Sequence, residues 1–222
     1  MLSIANVSAG QASSYYEKDD YYVRDEGGIW QGNLKDSFGL GEEVKKEEFD
    51  RLINLNDKRA GFDLCFSAPK SVSMAYCIDE HRQDIMDAHN KAVTDTLKLI
   101  EQNEIYIRVT EDKVTKRVQT DNMLCGKFNH YVSRNQDPQI HTHCVILNHT
   151  FHNGQRYAIS NENFYENKLL YGQIYRSNLA NNLQENGFKI DVTDRKNGFF
   201  ELAGVKKEDI EMMSSRRQEI EE

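Results

Sequence analysis

Apolar and polar positions along the opening SIANV (3–7) predict a short strand, and SAGQASSYYEK after it reads as a helix start with Ser8 or Ser13 as cap. Residues 17–50 are polar, acidic and glycine-bearing, which predicts a loop with one short helix near 45–54. FDLCFS (62–67) alternates apolar with polar and predicts a strand. Ser67 as N-cap and Pro69 just inside the first turn then predict a helix through KSVSMAYC. Over 81–102, Ile85, Ala88, Ala92, Val93, Leu97 and Ile100 recur at helical spacing for about six turns.

Three strand-like runs follow, EIYIRVTE (104–111), MLCGKFNHYVSR (123–134) and QIHTHCVILN (139–148), with a hairpin expected after the first. The last two are separated by RNQDP, a turn composition. A long helix over 164–186 ends at Gly187, followed by short strands at 188–192 and 198–202 and a charged terminal helix. Hairpins mixed with crossing helices predict the α+β class, an antiparallel sheet covered by helices.

Composition narrows the class without changing this outline. The 222 residues are 38% hydrophobic and 29% charged with two prolines, which excludes disordered and collagenous chains. No apolar run approaches the roughly 20 residues of a membrane helix. MLSIANVSAG lacks the basic and apolar regions of a signal peptide, so a cytoplasmic protein without membrane insertion is expected. Cys65, Cys77, Cys125 and Cys144 show no CxxC spacing and read as reduced thiols. The net charge of −8 is local: residues 17–50 hold 11 acids against 5 bases, and 201–222 hold 7 against 4. Residues 51–150 balance at 13 against 13, so the acidity does not exclude a nucleic-acid partner.

Candidate chemistry begins with the histidines. Alternate side chains of a strand share a face, so His141 and His143 in IHTHCV point the same way. A four-residue loop at 134–137 sets His130 opposite His141, and a two-residue loop sets it opposite His143. Either register gathers three imidazoles with open positions beyond them, a catalytic type of metal site. Imidazole suits several divalent ions, so Mg, Mn and Zn are not distinguished. His149 and His152 read as surface residues at the strand end and in a turn.

Four tyrosines crowd one window, SSYYEKDDYYV: Tyr15, Tyr16, Tyr21 and Tyr22. Phenolate is a nucleophile able to form a phosphoryl intermediate, and a bound cation makes phosphorus more electrophilic. Tyrosines and a three-histidine metal site together suggest transesterification of a phosphodiester. Asp63, in FDLCFS, is placed either to orient a histidine through its ring N–H or to accept the tyrosine proton.

The N-terminal YY…YY, the block GFDLCFSAPKSVSMAY and FNHYVSRNQDPQIHTHCVILN together resemble the conjugative relaxases of the TrwC/TraI (MobF) type, among the HUH single-strand endonucleases. The resemblance runs from residue 1 to about 202. It implies a palm-like sheet and a site-specific enzyme that nicks and rejoins DNA at a plasmid or mobile-element origin of transfer. The implied intermediate is a covalent 5′-phosphotyrosine with a free 3′-OH. By position, Tyr15 matches the nicking tyrosine, Tyr16, Tyr21 and Tyr22 its companions, His130, His141 and His143 the metal triad, and Asp63 the assisting acid. The implied partners are single-stranded DNA with an adjoining hairpin, relaxosome accessory proteins and a coupling protein, around a monomeric relaxase. The stretch between the tyrosines and FDLCFSAPKS is shorter than in the familiar plasmid enzymes. The chain also stops at RRQEIEE inside an expected helix, so residues 1–222 are expected to be one relaxase domain, cut short at the C-terminus within a longer protein.

Expected DNA contacts are Arg108 and Arg117 in the hairpin, and Lys70, Lys127 and Arg134 near the site, with Trp30 and Tyr131 as stacking surfaces. Lys113 and Lys116 read as solvated surface, and no helix reads as a major-groove recognition helix. Two alternatives stay open at this point: a nuclease with a water nucleophile, and a non-catalytic single-strand-binding module with a structural metal. The charge balance predicts modest affinity for single-stranded DNA. Fluorescence anisotropy of a labelled oligonucleotide should show it falling steeply from about 50 to about 200 mM salt.

Overall fold

The computed structural model describes residues 1–8, 27–55, 59–78, 80–133 and 135–215. In chain order β1 (Leu2–Val7), β2 (Gly28–Gln31), β3 (Glu43–Val44) and β4 (Gly61–Ser67) precede a ribbon of β5 (Tyr106–Glu111) and β6 (Val114–Gln119). Then come β7 (Cys125–Val132) and β8 (Pro138–Leu147). The main sheet has the order β1-β4-β8-β7-β2-β3, and every neighbouring pair in it is antiparallel. The helices are α1 (Leu34–Ser37), α2 (Lys46–Ile53), α3 (Lys70–Ile78), α4 (Arg82–Glu104), α5 (Glu162–Glu166), α6 (Lys168–Glu185) and α7 (Lys207–Met212). Small hairpins β9 (Thr150–His152)/β10 (Gln155–Tyr157) and β11 (Ile190–Asp194)/β12 (Phe199–Leu202) complete an α+β fold.

Alternation divides the sheet into two faces with separate cores. On the reverse face Phe62, Leu64 and Phe66 of β4 and Ile140, Cys144 and Ile146 of β8 pack against α4 and α6. There they meet Ile85, Ala92, Leu97 and Ile100 from the predicted stripe, together with Tyr175, Leu179 and Leu183. On the front face a smaller cluster joins Val7, Trp30, Val44, Phe128, Val145 and Leu147 to Phe49, Leu52 and Ile53 of α2. Strand β8 is paired along both edges and covered on both faces, so its burial is nearly continuous.

Several local expectations are revised. The acidic segment contains α2 where a short helix was expected, but also β2 and β3, which are too short to display an alternation. Gly28 lets β2 lie under Phe128, since a Cβ there would stand 2.5 Å from the Phe128 ring. The strand at 106–111 pairs with β6 outside the main sheet, with one further bridge from Tyr106 to Ser160, through a turn in which Asp112 and Lys113 have φ of 49° and 65°. The long helix is interrupted at Asn167, between α5 and α6. It ends as predicted: Gly187 has φ 86°, and the N–H of Phe188 reaches the carbonyl of Leu183 at 3.0 Å.

Ser67 closes β4 instead of capping α3, donating its N–H to the Met1 carbonyl at 2.8 Å. The first turn of α3 is capped from another strand, by Glu201 Oε2 accepting the Ser71 N–H at 3.0 Å. All four cysteines are free. Among the described residues no helix is long and apolar enough to cross a membrane.

Glu101 links α4 to the front-face segments. One carboxylate oxygen accepts the N–H groups of Asn33 at 2.7 Å and Met123 at 2.9 Å, and the residue is only 5% exposed. Glu101→Ala orphans both donors and should cost about 2–4 kcal/mol, whereas Glu101→Gln, which keeps the acceptor, should cost about 1 kcal/mol. Urea midpoints of the two variants check this.

Candidate active site

The three histidines meet on the front face, beyond the apolar cluster of Phe128 and Val145. His130 lies opposite His141, and Phe128 opposite His143. This is the register of the four-residue loop, reached with one difference. Val132, not Ser133, pairs with Pro138, and an irregularity between His130 and Val132 takes up the extra residue. The loop is closed by the Ser133 N–H on the Asp137 carbonyl at 2.8 Å.

Ring centres lie 5.1 Å apart for His130–His141, 5.2 Å for His141–His143 and 5.4 Å for His130–His143. Three imidazoles bonding one ion at about 2.1 Å with tetrahedral angles have centres about 5 Å apart, so the spacing fits. As the rings stand, no set of three or more His, Cys, Asp or Glu among the described residues is already drawn into a ligand cluster. Gripping an ion asks for turning of the rings, without a shift of the strands.

Hydrogen bonds fix two of the three tautomers. A carbonyl only accepts, so His141 must carry its proton on Nδ1, which donates to the Gln139 carbonyl at 2.9 Å. His143 likewise donates from Nδ1 to Asp63 Oδ2 at 2.7 Å. Both rings therefore keep the Nε2 lone pair for a cation, the arrangement a carboxylate–histidine pair imposes. Burial, reinforced by the neighbouring imidazoles, lowers His130 to about 3, and burial also lowers His141 to about 4. Both are neutral near pH 7, as a metal ligand must be.

Asp63 sits on β4 opposite Val145, one step diagonal from His143, and is 7% exposed. Its Oδ1 has no hydrogen-bond partner among the described residues. Asp63 thus orients the His143 ring, and the tyrosine whose proton it was alternatively expected to accept lies outside the described residues.

Thr142, between the two β8 histidines, faces the other way into a buried polar chain that the sequence reading missed. Tyr175 O–H donates to His89 Nδ1 at 2.8 Å, and His89 Nε2–H donates to Thr142 Oγ1 at 2.7 Å. Thr142 in turn donates to Asn129 Oδ1 at 2.7 Å, and Asn129 Nδ2 donates to Asn90 Oδ1 at 3.0 Å. Burial holds His89 down at about 3, so its ring is neutral and relays hydrogen bonds without carrying charge. The signal was present: His89 falls in the apolar stripe of α4 between Ile85 and Val93, where a polar residue needs buried partners.

The other expected residues disperse. Tyr15, Tyr16, Tyr21, Tyr22 and Arg134 lie outside the described residues, as do Ser13 and the helix expected after Ser8. Trp30 is 2% exposed and packed on Phe49, so its ring is core and offers no stacking surface to a base. Tyr131 is half-buried and stacked in parallel on Tyr76, with ring centres 5.1 Å apart. Lys70 donates to the Pro138 carbonyl at 3.0 Å and ties α3 to the start of β8. Arg108 and Arg117 stand on the exposed ribbon, Arg108 pairing with Glu162 and Arg117 donating to Asn163 Oδ1 at 2.6 Å. Lys127, three residues from His130, emerges on the reverse face and donates to Thr94 Oγ1 at 2.9 Å. His149 is 1% exposed, not a surface residue; it packs edge-on against Phe38 at 5.3 Å, and burial lowers it to about 4. His152 lies in β9.

The family model described as TrwC relaxase matches residues 9–222. The multifunctional conjugation protein TraI of Escherichia coli (strain K12) is 37% identical over 249 residues, an alignment spanning 100% of this chain and 14% of that protein. The chain thus spans about a seventh of the length of that curated relative. The metal-bound structure of conjugative relaxase TrwC in complex with oriT DNA is 34% identical with a TM-score of 0.87, over 99% of this chain and 81% of that one. A copper-bound structure of TrwC with oriT DNA matches with a TM-score of 0.87 and 34% identity, over 99% of this chain and 82% of that one. TrwC complexed with a 27-mer comprising the recognition hairpin and the cleavage site matches at 31% identity with a TM-score of 0.86, over 99% and 81%.

Asp63→Asn retains shape but weakens the acceptor that holds His143. It should reduce divalent-metal affinity about 10–100-fold. Competition titration with a chromogenic chelator measures this, with circular dichroism unchanged.

Proposed function

The chain belongs to the TrwC relaxase family, and from that premise we propose that it nicks and rejoins one DNA strand at an origin of transfer. The observation that carries this reading is the front-face triad, His130, His141 and His143, with Asp63 fixing one ring. Such a site does Lewis-acid chemistry on a phosphate oxygen, and the TrwC structures pair a bound metal with oriT DNA.

In the proposed reaction Tyr15 is the nucleophile. Its phenol gives up a proton, its oxygen bonds to phosphorus, the P–O3′ bond breaks and the leaving 3′ oxygen takes up a proton. One phosphodiester replaces another, so the step runs backwards when a 3′-OH returns. A divalent cation held by the three imidazoles would draw charge from the non-bridging oxygens and favour the phenolate. Asp63 keeps His143 in the required tautomer and the Gln139 carbonyl does so for His141. Tyr16, Tyr21 and Tyr22 are proposed companions to Tyr15. Arg108 and Arg117 on the ribbon, with Lys70 and Arg134 near the β7–β8 loop, are proposed phosphate contacts. The proposed substrate is single-stranded DNA with an adjoining hairpin, handled in the cytoplasm by a monomer working with relaxosome and coupling proteins.

The decisive measurement is intact mass after incubation with a cognate oligonucleotide and Mg²⁺ or Mn²⁺. A covalent 5′-phosphotyrosyl adduct is expected, mapped by proteolysis to Tyr15. Tyr15→Phe should remove the adduct while binding stays within about twofold. Cleavage without any adduct means a water nucleophile, and binding without cleavage means a non-catalytic module; either result overturns the reading.

A further inference from the structure

The face of the sheet away from the histidines carries a second feature. Between α4 and the β2–β7 pair lies a groove of roughly 490 Å³. Its wall holds Lys127, a largely buried ammonium whose hydrogen-bond acceptor is the Thr94 hydroxyl. Lys127 takes part in none of the ion pairs among the described residues. A buried ammonium without a carboxylate in ion-pair contact is costly, and its pKa is lowered, chiefly by burial, with Glu42 opposing only weakly. Lys91 and Lys98 stand one helical turn to either side of Asp95 on α4, with contacts of 3.4 and 3.6 Å to its carboxylate. Among the described residues that line the groove, three ammonium groups thus face one carboxylate, Asp95, with Glu42 acting on Lys127 from beyond ion-pair distance, in a chain whose net charge is −8. The amides of Asn90 and Asn129 line the same groove and add hydrogen-bonding groups.

We infer that this groove is a phosphate-binding site, distinct from the histidine face, that holds a short stretch of single-stranded DNA passing behind the sheet. The phosphate chemistry follows from the groove alone; DNA as its bearer rests on the proposed relaxase function. A phosphate oxygen supplies the ion-pair contact that Lys127 lacks among the described residues, while the exposed Lys91 and Lys98 close over the neighbouring backbone. Asp95 limits the affinity, because it neutralises part of the charge the phosphate would meet.

The test uses the whole chain and a labelled thymidylate 15-mer, which carries phosphates but no recognition hairpin. In the double variant Lys91→Gln/Lys98→Gln, log affinity against log salt should lose about 1.4 from its slope, roughly 0.7 for each phosphate contact removed. Lys127→Met should weaken binding several-fold without lowering the melting temperature. Asp95→Asn should tighten it. Lys206→Gln/Lys207→Gln, an exposed pair at the start of α7, is the control and should leave the slope unchanged.

A second arm titrates inorganic phosphate and follows the side-chain amide NMR signals of Asn90 and Asn129. Phosphate shifts without any slope change would overturn the strand and retain a free-phosphate site. No shift and no slope change, or an equal loss in the control pair, overturns the site altogether. Neither arm involves cleavage, so absence of a tyrosyl adduct would leave this result standing, and the converse holds.

Discussion

Strand β8 is the constraint on which the rest of the molecule depends. Side chains of a strand alternate between faces, so one run, Ile140 to Ile146, must supply both the core behind the sheet and the chemistry in front of it. His141 and His143 take the front; Ile140, Thr142, Cys144 and Ile146 take the back. Pairing with β4 on one edge and β7 on the other leaves no register freedom, because a slip by one residue would bury imidazoles among Ile85 and Leu97. The polar chain through Thr142 adds a second lock, since a slipped strand would leave His89 and Asn129 unsatisfied in the interior.

The two cores divide the labour. The large one under α4 and α6 holds the sheet flat side to helix, as in other α+β folds. The small one around Trp30, Phe49 and Phe128 ends where His130 and His143 begin, so the imidazoles stand at the rim of a dry patch. That setting explains their neutrality: desolvation penalises the imidazolium form of His130 and His141.

What was legible in the sequence followed the range of the signal. The HxH face, the stripe of α4 and the Gly187 stop depend on residues a few positions apart, and all are found where the pattern set them. Asp63 was recognisable because its strand alternates clearly. The strands β2 and β3 escaped notice because two to four residues carry no period, and the pairing of β2 with β7 and of β3 with β2 is a tertiary decision. Trp30 and His149 were misplaced for one reason. Polarity or ring area suggested surface or ligand contact, but α2 and the segment around Phe38 cover them, and nothing local announces that cover. Lys127 could have been turned to its proper face by counting parity from His130.

The chain distances within the site carry a consequence for how the molecule comes into being. All three imidazoles belong to one hairpin, residues 130–143, whereas Asp63 is 80 residues from His143. Closing the hairpin costs little loop entropy, while bringing β4 beside β8 closes the long excursion through α3, α4 and the ribbon and costs more. The three rings are thus gathered by a local stretch of chain, whereas the carboxylate that orients His143 reaches it only through the completed sheet. A change in the hairpin therefore acts on the spacing of the rings, and a change in how β4 pairs acts on the orientation of His143.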